Sequence, residues 1–142
     1  MRMVRESELI EYLETKKRII LYGAGMVGGL VKNRLDSNNL GGSIACFAKS
    51  VVSGQDTYMG IPVLGLDSLG RLDSDECVLV CALSTTRQEM IRKLEARGLD
   101  GYIPVSDELF LDLQEHYLTE QRSQNAGMLS KRFDVIFFSQ DN

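Results

Sequence analysis

The run Arg18-Ile19-Ile20-Leu21-Tyr22 passes directly into Gly23-Ala24-Gly25-Met26-Val27-Gly28, and helical periodicity takes over from Val27 to Leu35. No other stretch restricts the fold as much. An unbroken apolar run followed by a 3.6-residue repeat, with glycines between, orders a strand, a tight turn and a helix. A strand apolar on both faces belongs to a parallel sheet covered by helices on either side. Asn38, Asn39, Gly41 and Gly42 then turn the chain, and Ile44-Ala45-Cys46-Phe47-Ala48 supplies a second strand. The unit closes in about 30 residues, the context in which GxGxxG carries meaning: one glycine for the turn, one for close approach of a pyrophosphate, one for helix packing.

The rest of the chain repeats this rhythm. Leu9, Ile10 and Leu13 mark an amphipathic helix over residues 6–16, with Ser7 as its cap. Ser50 to Gly60 reads as loop, Ile61-Pro62-Val63-Leu64 as a short strand whose proline suits an edge or strand start, and Asp67 to Leu72 as a helical turn or two. Cys77 to Leu83 is the most apolar segment and hence the central strand. Ser84 or Thr85 caps a helix running to Arg97, and Gly98 ends it. Tyr102-Ile103-Pro104-Val105 is a further strand, and Ser106-Asp107 caps a helix to about His116. The expectation is an α/β, Rossmann-like doubly wound parallel sheet, order 3-2-1-4-5, with an extra amino-terminal helix and a carboxy-terminal strand, Phe133 to Phe138.

At 142 residues the chain holds one self-sufficient core. It divides into a nucleotide-binding domain over residues 1–118 and, over 119–142, a polar linker plus terminal strand that opens a further domain. A net charge of -4 argues against nucleic acid as partner. No apolar run approaches the roughly 20 residues that span a bilayer, and the amino terminus lacks a signal-peptide core, so a cytoplasmic location is expected. Cys46, Cys77 and Cys81 fall in strand-like runs and read as small buried hydrophobes, and with His116 the chain's one histidine they make a poor metal set.

The expected ligand is a nucleotide-type small molecule. Its phosphates rest on the backbone of Gly23, Ala24, Gly25, Met26, Val27 and Gly28, where free amides and the helix dipole face the anion. Ser84, Thr85 and Thr86, at the end of the central strand, border the crevice where strand order reverses. The place of the acidic residue that holds a ribose 2′-hydroxyl is occupied by Ala48-Lys49-Ser50, and Lys49 there suits a 2′-phosphate or another phosphate. Tyr12 and Lys16 have the YxxxK spacing of short-chain dehydrogenases, but they precede the glycine loop where that family's pair follows it. No nucleophile, base and orienter can be assembled.

The stretch from Arg18 to Leu109 resembles a bacterial module found at the amino terminus of polysaccharide-synthesis proteins: glycosyltransferases, sugar O-acetyltransferases and sugar-nucleotide epimerase/dehydratases. The resemblance lies in Ile19-Ile20-Leu21-Tyr22-Gly23-Ala24-Gly25, Gly60-Ile61-Pro62-Val63-Leu64, Val78-Leu79-Val80-Cys81-Ala82 and Gly98 with Tyr102-Ile103-Pro104-Val105-Ser106. It implies a site for a nucleotide sugar, NAD(P) or coenzyme A, and a parent glycosyltransferase whose next domain begins near Phe133, with a homo-oligomer as the other form of association. Lys49-Ser50 stands where many such modules carry Asp. The other readings are an NAD(P)-dependent oxidoreductase acting on a sugar nucleotide, and an interaction domain that keeps the fold without a ligand.

Overall fold

The computed structural model describes residues 5–52, 54 and 56–139, with side chains described as far as Ser123. In chain order the elements are α1 (Glu6–Leu13), β1 (Arg18–Tyr22), α2 (Met26–Ser37), β2 (Ile44–Lys49), β3 (Asp56–Tyr58), β4 (Ile61–Gly65), β5 (Glu76–Val80), α3 (Ser84–Ala96), β6 (Tyr102–Pro104) and α4 (Asp107–Ser139). The sheet runs β3-β4-β2-β1-β5-β6, with every neighbouring pair parallel except β3 with β4. Its five parallel strands have the expected order 3-2-1-4-5, so the chain has a Rossmann-like α/β fold.

Alternation along β1 divides the core into two layers. Ile19 and Leu21 face α1, α2 and α4, packing with Leu9, Leu13, Val31, Leu35, Leu109 and Leu113. Ile20 and Tyr22 face α3, packing with Met90, Ile91 and Leu94. Strands buried from both sides explain why the β1 and β5 sequences show no polar alternation. Gly98 (φ +73) ends α3, with the Leu99 amide donating to the Leu94 carbonyl at 3.0 Å and the Gly98 amide to Glu95 at 3.0 Å.

Four expectations need correction. The segment read wholly as loop contains β3, which pairs with β4 and becomes the rim of the sheet, so Pro62 stands near a strand start rather than on an edge strand. Asp67 to Leu72 is reduced to a 3-10 turn over Leu66–Ser68, cut short by Gly70 (φ +66). Helix α1 begins after Arg5, whose amide donates to the Glu8 carboxylate at 3.1 Å, so Ser7 is not its cap.

The fourth concerns the end of the chain. The polar stretch from Thr119 and the apolar run Phe133 to Phe138 are not a linker and a strand: both continue α4 to Ser139. Glu, Gln, Arg, Ala, Met, Leu and Lys dominate residues 120–131, all strong helix formers, and a short apolar run is equally at home in a helix. Glu120 accepts from Ser37 Oγ at 2.8 Å and from Asn33 Nδ2 at 3.3 Å, which fastens α4 along α2.

Candidate functional site

Strand β1 lies between β2 and β5, and its chain leaves to α2 on one face while that of β5 leaves to α3 on the other. Such a reversal opens a crevice at the carboxyl ends of the strands. The glycine loop borders it. Gly23 (φ +122) bends the chain as its amide donates to the Ala48 carbonyl at 2.9 Å, and a Cβ there would collide with the Cys81 carbonyl oxygen. A Cβ on Gly28 would collide with the Gly23 carbonyl oxygen and stand 3.1 Å from the Phe47 ring. Both glycines are therefore explained by internal packing.

Gly25 is not. It caps α2 in extended backbone (φ -148), it is exposed, and a Cβ there would meet nothing within 4 Å. Among the described residues no acceptor takes the amides of Ala24, Gly25, Met26, Val27 or Gly28, and no side chain caps the helix. These are the orphan donors of a helix start, with the positive end of its dipole behind them. Ala24 is half-buried, the Val27 side chain is buried, and Met26, 64% exposed, flanks the loop. The loop carries free donors over open space, the arrangement that takes an anion through backbone contacts.

Tyr58, inside the segment expected to be featureless, reaches over this loop. Its hydroxyl donates to the Gly25 carbonyl at 3.0 Å, and its ring meets Phe47 edge-on, centroids 5.0 Å apart. No motif flags it, because its contact depends on a hairpin whose outer strand is three exposed or half-buried residues.

On the α3 side, the structure replaces the expected cap. Leu83, in extended backbone, is the N-cap of α3, while Ser84 takes a left-handed φ of +52 at the first helical position. The hydroxyls of Ser84, Thr85 and Thr86 cap nothing and have no partner among the described residues. A non-glycine residue held at positive φ stores about 1 to 2 kcal/mol, and such strain concentrates where a group must be aimed.

Between the loop and α3 lies a cleft of about 230 Å³ lined by Tyr22, Gly23, Ala48, Lys49, Ser50, Thr86, Glu89, Met90 and Lys93. Tyr22 and Ser50 share a hydrogen bond of 2.7 Å, and Lys93 Nζ donates to the same Ser50 Oγ at 3.2 Å. Lys49 has a partner, Asp56, at 3.7 Å, with both side chains about half exposed. The cleft thus brings Gly23 and Lys49 together with residues not singled out from sequence, Tyr22, Glu89 and Lys93. Thr86, Met90 and Lys93 recur at 0, 4 and 7 along α3, a stripe readable in the sequence once α3 is set on the sheet.

Other groups lie apart from this cleft. Lys16 Nζ stands 4.7 Å from the Tyr12 ring and donates to the Ser74 carbonyl at 2.6 Å, just before the amino end of β1 and at the opposite end of the sheet from the loop. His116 places Nδ1 2.5 Å from Oε1 of buried Glu6, whose other oxygen pairs with Arg34, so it joins α4 to α1. A larger open groove there, about 900 Å³, is lined by Glu6, Glu8, Glu108 and Asp112 together with Arg5 and His116, an excess of carboxylates over cations that disfavours an anion. Cys46, Cys77 and Cys81 are buried; burial pushes the Cys77 thiol up to about 11 and raises the other two, which keeps them from acting as thiolates. No described helix is long and apolar enough to cross a membrane.

No protein-family model matches this chain. No curated protein matches it either. Among solved structures it is similar to the crystal structure of RSP, a Rex-family repressor, at a TM-score of 0.47 and 16% identity, covering 87% of this chain and 66% of that one. A likeness at that level assigns neither ligand nor activity, both of which have to come from the chain's own geometry.

Proposed function

We propose that this chain is a nucleotide-binding module that grips the diphosphate of its ligand with the amides of residues 24–28 and seats the rest in the cleft beneath α3. The observation that carries this reading is Gly25, a glycine that neither backbone conformation nor neighbouring atoms require, standing at the mouth of a row of unpaired donors. Each charge-assisted hydrogen bond to such a donor contributes about 1.5 to 3 kcal/mol, so three of them suffice for micromolar affinity. Of the three hydroxyl residues that open α3, Thr86 lines the cleft, and Ser84 and Thr85, outside its lining, supply further contacts from the start of the helix.

The ligand class spans nucleotide sugars, NAD(P) and coenzyme A. The wider role we propose is in the cytoplasm, beside a bacterial surface-polysaccharide glycosyltransferase, through a covalently linked domain or through self-association. That part rests on the resemblance carried by Gly60-Ile61-Pro62-Val63-Leu64 and the segments around it.

A thermal-shift panel of NAD, NADP, coenzyme A, UDP-sugars and CDP-alditols tests the binding reading. A ligand at about 100 times its Kd adds about 2.7 kcal/mol, several degrees for a domain of this size. Silence across the whole panel would refute it and leave a ligand-free interaction domain.

A further inference from the structure

Resting on the loop reading, and narrowing it, the geometry points to a ligand that carries a phosphate monoester on its ribose. In a fold of this kind the ribose of the nucleotide lies at the end of the second parallel strand, here β2. A bare ribose diol calls for a carboxylate at that point, because its two hydroxyls donate hydrogen bonds. The chain offers Lys49 and Ser50 instead, and α3 adds a second cation from above.

That second cation is Lys93. Its ammonium is tied to Ser50 Oγ at 3.2 Å, and no carboxylate among the described residues pairs with it. Tyr22, buried under the strand ends, fixes Ser50 from below at 2.7 Å. Lys93 thus ends on the Ser50 hydroxyl, and Lys49 lines the same cleft with its charge only loosely satisfied by Asp56 at 3.7 Å. A neutral diol would leave the Lys93 ammonium without a counter-charge. A phosphate monoester, carrying a charge of about -1.5 to -2 at neutral pH and three acceptor oxygens, takes a hydrogen bond from Lys93 and one from the Ser50 hydroxyl, with the Lys49 charge nearby in the cleft lining. Glu89, one turn before Lys93, is left to accept from the remaining ribose hydroxyl, and Met90 gives the cleft an apolar floor.

A 2′-phosphate, as in NADP, and a 3′-phosphate, as in coenzyme A, share this chemistry. The experiment is calorimetry at 0.15 M salt with ADP, adenosine 2′,5′-bisphosphate and adenosine 3′,5′-bisphosphate, with UDP-glucose as reference. The extra monoester is expected to tighten binding about 10- to 150-fold over ADP, the worth of one charge-assisted hydrogen bond, and the preferred isomer identifies the source. Lys93→Met should reduce that preference to about twofold or less; Lys17→Met, removing an exposed cation outside the cleft, should leave it intact. If both bisphosphates bind no tighter than ADP, or if Lys93→Met keeps the preference, the inference is overturned. If UDP-glucose binds and none of the adenosine compounds does, it is overturned while the loop reading stands; if nothing binds, both fall.

Discussion

Replacing Gly25 by valine separates binding from folding at a single position. Nothing lies within 4 Å of the new Cβ, and a φ of -148 suits a β-branched residue, so no native contact is broken. Valine is a poorer N-cap than glycine by roughly 1 kcal/mol, while a less flexible unfolded chain returns about 0.4 to 1. The net change in stability is then within about 1 kcal/mol, or about 3 °C in Tm. The isopropyl group, however, fills the space over the amides of Met26 and Val27. Losing two charge-assisted hydrogen bonds costs about 3 to 6 kcal/mol, at least a hundredfold in Kd. Gly28→Ala is the contrast: its Cβ meets a backbone carbonyl that cannot move aside, and such overpacking costs about 1 to 3 kcal/mol or more, lowering Tm by about 3 to 10 °C or more. Differential scanning fluorimetry with and without the best ligand of the panel reads both effects. A valine variant that unfolds early, or one that keeps the ligand-induced shift, would refute the assignment of Gly25 to ligand approach.

Ser84→Gly relieves the left-handed residue at the start of α3 and should raise Tm by a few degrees, for about 1 kcal/mol, while weakening the ligand; a lower Tm would show that the serine is not strained. Burial holds the Cys77 thiol at about 11, above its ordinary 9.0, so the unfolded chain loses this proton first as pH rises. The stability this thiol preserves is whole below pH 9 and falls by up to about 2.7 kcal/mol on the way to pH 11. Urea unfolding of the wild type and Cys77→Ala across that range should show the steeper decline in the wild type, and equal slopes would count against it. Glu6→Gln leaves Arg34 and His116 without their shared carboxylate and should cost about 2 to 3 kcal/mol in urea unfolding, with no change in ligand affinity.

The parts of the fold visible in the sequence are those where one signal dominates. The passage from Tyr22 through the glycines to Val31 combines a change of period with residues that only a tight turn demands, and β5 is too apolar to lie anywhere but the middle of the sheet. The strand Asp56–Tyr58 escaped because it is short, polar and held by its partner across the hairpin rather than by its own pattern. The end of α4 escaped because Phe133 to Phe138 fits a strand as well as a helix, and the helix-forming residues before it look like any solvated segment. In the site, the glycines and Lys49 could be named from spacing, whereas Lys93 and Tyr22 acquire meaning only when a crossover brings α3 over the end of β2. Residue type alone points to Ser84 or Thr85 as the cap of α3, whereas the backbone torsions give that place to Leu83.

Both rims of the sheet are three-residue strands, β3 carrying Asp56 and β6 ending on Pro104. A charge on one border and a missing amide on the other discourage a second chain from adding a strand. Edge-to-edge pairing between copies of this protein is thereby disfavoured, which keeps the strand ends and the glycine turn clear of sheet-to-sheet growth even when the protein is crowded.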